Sequence, residues 1–88
     1  MDYRTFLSEL IKKEMEMMGQ EKVKTALDKC LIKTDAKGNV LSTSGTDKIV
    51  ITQNFIKELC AVNPLAKVPA RAMALIYRKY DPSFELKL

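Results

Sequence analysis

Between Tyr3 and Leu31, apolar side chains return every three or four residues, and the pattern is interrupted once, at Gly19. Tyr3, Phe6, Leu7, Leu10, Ile11, Met17 and Met18 therefore form one stripe of a helix over about residues 3–18, with Glu9, Lys12, Lys13 and Glu16 opposite. Val23, Ala26, Leu27, Cys30 and Leu31 repeat the spacing in a second helix. Asp2 is placed to cap the first helix, and Gly19 supplies the left-handed residue that stops it. A connection this short leaves an antiparallel hairpin as the expected packing.

The stretch "KTDAKGNVLSTSGTDKIVIT" that follows has another character. Asp35, Gly38, Asn39, Ser44, Gly45 and Asp47 favour turns, and they surround two short apolar runs. The β-branched residues predict a small hairpin, Val40 and Leu41 pairing with part of Ile49–Ile51, and a third helix capped by Thr52 with Ile51 stapled to Ile56. The competing reading extends that helix back to Thr46. Its buried side is expected to carry Phe55, Ile56, Leu59, Cys60 and Val62, and its wet side Lys57 and Glu58.

Asn63 and Pro64 read as a cap and first helical position, giving one short turn before a last helix from Pro69 to about Tyr80. Asp81 and Pro82 end it. Phe84, Leu86 and Leu88 alternate, which predicts an edge strand added to the hairpin. Eighty-eight residues hold one core. The expected fold is mainly α: a small four-helix domain of two helical hairpins with a short central β-hairpin or irregular loop, a single domain over 1–88.

Composition excludes more functions than it suggests. With 47% hydrophobic and 30% charged residues the chain belongs with folded proteins rather than disordered ones. It has no histidine, so the commonest general base and metal ligand is missing, and two cysteines do not make a zinc site. Gly19, Gly38 and Gly45 stand apart, so no glycine-rich phosphate loop is present. Glu9, Glu14 and Glu16 read as a solvated helix face. No enzyme activity, cofactor or metal is expected.

No window approaches the roughly 20 apolar residues of a membrane span, and the first residues lack the order of a secretory signal. A cytoplasmic protein is expected, with Cys30 and Cys60 as packing thiols.

Binding remains. Residues 64–80 carry Lys67, Arg71, Arg78 and Lys79 and no acid. On a helix Lys67, Arg71 and Arg78 fall on one narrow stripe, while Ala72, Met73, Leu75, Ile76, Tyr77 and Tyr80 wrap the remainder, so Ile76 is expected in the core. The leading expectation is a small noncatalytic protein–protein interaction or regulatory module whose basic stripe meets an acidic partner. Self-association as a homodimer is a further expectation, because Met15, Met17 and Met18 crowd one helix end and flexible thioethers suit adaptable surfaces. The alternative is nucleic-acid binding by a helix-turn-helix-like C-terminal pair that presents helix 69–80.

Overall fold

The structure, a computed structural model, describes residues 3–45, 47–84 and 86. It is mainly helical, with four helices and a short two-stranded antiparallel hairpin. In chain order these are α1 (Tyr3–Met18), α2 (Gln20–Lys29), β1 (Ile32–Thr34), β2 (Val40–Thr43), α3 (Lys48–Val62) and α4 (Lys67–Tyr80), with a 3-10 turn at Pro64–Ala66 leading into α4. The expected Asp2 cap and the strand position of Leu88 lie outside the described residues.

α1 has the bounds its periodicity predicts. Phe6, Leu7, Leu10 and Ile11 are fully buried or nearly so, and Gly19 (φ 87°) closes the helix, its N–H donating to the Met15 carbonyl at 2.9 Å. α2 ends earlier than its apolar pattern suggests. Leu31 takes a positive φ of 56°, an uncommon conformation for a branched side chain, and points into solvent, so the chain turns and Ile32 begins a strand.

The hairpin partner of β2 is β1, in place of the expected Ile49–Ile51. Ile32 faces Thr43, Lys33 faces Ser42 and Thr34 faces Val40, so the ladder skips Leu41 in a bulge. The turn between the strands is built by Asp35, whose carboxylate accepts the Lys37 and Asn39 N–H groups and the Asn39 side-chain amide, each at 2.9 Å. Those bonds hold the Asp35 carboxyl below its usual range, the Asn39 side chain contributing most. Gly38 (φ 92°) lets this turn lie on α1, since a Cβ there would stand 3.3 Å from side-chain carbons of Ile11 and Lys12. Two polar side chains of α1 tie the hairpin down. Arg4 donates to the Val40 and Leu41 carbonyls at 2.9 to 3.0 Å, and Ser8 Oγ accepts the Val40 N–H at 3.0 Å.

Ile49–Ile51 are helical because Asp47 caps them, accepting the N–H groups of Ile49 and Val50. Thr52 is an interior residue, fully buried, and its hydroxyl donates to the Lys48 carbonyl at 2.7 Å; the expected start of this helix at Thr52 is therefore corrected to Lys48. Its core stripe is Thr52, Phe55, Ile56 and Leu59, whereas Val62 is exposed.

Asn63 caps the 3-10 turn through the Leu65 N–H at 3.0 Å. α4 starts two residues ahead of Pro69, which falls in the first turn, where a missing N–H costs nothing. The tail adds no strand: the sheet holds β1 and β2 alone among the described residues, and Phe84 and Leu86 are buried in the core. Phe84 stacks on Tyr3 (centroids 4.9 Å) and packs against Phe6 (5.1 Å) and Tyr77 (5.5 Å), while Phe6 and Tyr77 meet edge to face at 5.1 Å. This aromatic cluster joins α1, α4 and the tail.

Candidate partner-binding face

α4 is held by one side only. Ala70, Met73, Ala74 and Tyr77 turn inward, joined by Ala66 from the preceding turn, and the Tyr77 hydroxyl donates to Glu9 Oε2 of α1 at 2.8 Å. Burial and that bond push the Tyr77 hydroxyl up to about 12, so it remains a donor. Three of the five side chains buried at this contact are alanines. The choice of inner face fixes the outer one.

Facing out are Leu65 (63% exposed), Val68 (63%), Leu75 (67%), Ile76 (54%) and Tyr80 (76%), together with Ala72. The expectation that Ile76 lies in the core is corrected: the helix has two apolar faces, and the one carrying Met73 and Tyr77 is packed. At about 100° per residue the exposed apolar positions span an arc of about 140°. Val62, at the end of α3, is exposed as well.

Lys67, Arg71 and Arg78 are all exposed and follow one edge of this arc, and Lys79 emerges within it. Arg71 and Arg78 flank a shallow groove floored by Ala74, Leu75 and Leu86. Arg78 is not wholly free for a partner, since its guanidinium donates to the Leu86 carbonyl at 3.0 Å and so fastens the tail to α4. Arg71 has no ion pair among the described residues.

The methionines part company. Met15 and Met18 are half-buried against the core, Met15 lying beside Gly38 of the hairpin turn, and Met17 alone is exposed. Cys30 and Cys60 are free and half-buried. Burial pushes both thiols up; at Cys60 the charges of Lys67 and Arg71 act against that rise and Glu14 adds to it. No group of three or more His, Cys, Asp or Glu side chains that could hold a metal ion comes together among the described residues.

Glu14 departs from its expected place on a solvated face. It follows Leu7, Leu10 and Ile11 on the core stripe of α1 and has no exposed surface, and neither carboxylate oxygen has a hydrogen-bond partner. Burial pushes its carboxyl up to about 7. Among the described residues no helix is long and apolar enough to cross a membrane. No protein family, curated protein or solved structure matches the chain.

Proposed function

We propose that the protein is a noncatalytic interaction module that binds an acidic protein partner through the outward face of α4. The observation that carries this reading is the composition of that face: four cations with no acid from Pro64 to Tyr80, set beside five large apolar side chains that the domain leaves in solvent. Exposed apolar side chains gathered on one face mark an interaction site, whereas the same residues scattered singly would not. The cations select an anionic counterpart and exclude cationic ones.

The apolar content also favours protein over nucleic acid. A helix seated in a groove presents polar and charged side chains to base edges and phosphates, and here Val68, Ala72, Leu75 and Ile76 occupy most of the outward positions, with Lys79 the one cation among them.

The test is affinity capture from native lysate, with and without nuclease, using the wild type and the double variant Lys67→Glu/Arg71→Glu. Both positions are exposed, so melting temperatures should agree. The expected result is nuclease-resistant capture of acidic protein by the wild type and its loss in the variant. Capture that disappears with nuclease would favour nucleic acid, and capture untouched by the double variant would remove α4 from the account.

A further inference from the structure

The outward face of α4 has the shape of half a helix–helix seam. Leu65, Val68, Ala72, Leu75 and Ile76 recur at three- and four-residue steps along the 3-10 turn and α4, the spacing by which one helix packs on another. On α4 the apolar stripe runs about 12 Å along the axis from Val68 to Ile76, and Lys79 follows it one turn beyond Leu75. The stripe is bounded along one edge by Lys67, Arg71 and Arg78, and the groove between the two arginines has an apolar floor of Ala74, Leu75 and Leu86.

We infer that the segment docking here is an amphipathic helix of the acidic partner, with an apolar stripe laid along Val68, Leu75 and Ile76 and carboxylates along the flank that meets Arg71 and Arg78. This rests on the reading of α4 as an acidic-partner surface and adds the secondary structure and register of the ligand. Charge complementarity selects this occupant. A second copy of the chain would bring the same patch against itself, setting four cations against four. An acidic coil without an apolar stripe would satisfy the arginines and leave the seam in water. An acidic helix covers both: carboxylates spaced along its flank meet Arg71 and the donors that Arg78 keeps beside its bond to Leu86, and an apolar side chain one turn away lands beside Leu75.

Three synthetic peptides of equal length test this. The first places Leu at i, i+3, i+4 and i+7 with Glu along one flank; the second keeps the Leu positions and replaces Glu by Lys; the third has the composition of the first, shuffled to remove the stripe. Binding is measured by fluorescence anisotropy at low and physiological ionic strength. The first peptide should bind at least about tenfold more tightly than either other, and Ile76→Asp and Leu75→Asp should each cost about tenfold without unfolding the protein. Arg71→Glu should narrow the preference for the first peptide over the second.

If the shuffled peptide binds as well as the first, the acidic reading of the face stands and the helix inference is overturned. If no peptide distinguishes the wild type from Ile76→Asp and Arg71→Glu, both fall. Sedimentation showing a dimer that Ile76→Asp dissociates would make a second copy the occupant and overturn the inference as well.

Discussion

Replacing Glu14 by leucine should stabilise the protein, by an amount that depends on pH in a way the structure fixes. The carboxyl is pushed from 4.5 to about 7 by burial, with no hydrogen bond or cation to offset it. At about 1.4 kcal/mol for each pH unit, that rise corresponds to about 3 kcal/mol. The sign follows from proton binding. The folded state holds the Glu14 proton more tightly than the unfolded state does, so its contribution is complete below about pH 4.5 and is lost as pH rises through about 7. Relative to Glu14→Leu, the wild type should therefore fall behind by about 3 kcal/mol more at pH 8 than at pH 4.

Urea denaturation of both proteins across that range reads the gap directly. With a slope of about 1 kcal/mol per molar for a chain this size, the midpoints should separate by about 3 M. Shifts from other carboxylates cancel in the difference, provided that they do not touch this site. Glu14→Gln serves as control: it cannot titrate, so its gap should widen by the same amount, but a buried amide without partners leaves it below leucine by about 1 to 3 kcal/mol at every pH. A gap that stays constant from pH 4 to 8 would refute the placement of Glu14 in the core.

Further outcomes follow from the packing. Tyr77→Phe should cost about 1 kcal/mol in denaturant melts through loss of the bond to Glu9; because the hydroxyl is raised from 10.0 to about 12, wild-type stability should fall as pH rises through that window while the variant shows no such loss. Phe84→Ala should cost about 3 to 5 kcal/mol and weaken the near-ultraviolet circular dichroism, because Phe84 packs against Tyr3, Phe6 and Tyr77. Ile76→Asp should leave the melting midpoint nearly unchanged, whereas Met73→Asp, three residues away on the inner face, should unfold the domain by burying an unpaired charge.

Much of the architecture is legible in the chain, and the failures have physical causes. α1 was readable because its apolar stripe and its breaker, Gly19, agree. The start of α3 was not, because Ile49, Val50, Ile51 and Thr52 form a β-branched run whose local preference is for strand; the Asp47 cap and the burial of Thr52, Phe55, Ile56 and Leu59 outweigh it. The i, i+3, i+4, i+7 spacing of those four was present in the sequence and is the signal that finds this helix. Glu14 shares that lesson: the spacing from Leu7 and Leu10 puts it in the core, while its charge argues for the surface. In α4 periodicity cannot decide, since Ala70, Met73, Ala74 and Tyr77 form one apolar face and Val68, Ala72, Leu75 and Ile76 another. The Tyr77–Glu9 bond and the docking of Phe84 choose between them, and both join residues far apart in the chain. Hence the basic positions were visible from sequence, but the exposed seam beside them was not.

The central claim, that the outward face of α4 is where a partner binds, is tested most directly by following the backbone amide resonances during titration with the acidic amphipathic peptide. Perturbations are expected at Val68, Arg71, Ala72, Leu75, Ile76, Lys79 and Tyr80 and their immediate neighbours alone, weakening as salt is raised. Perturbations centred instead on Met17 at the end of α1, or on Leu31 and Val50, with α4 unmoved, would contradict it.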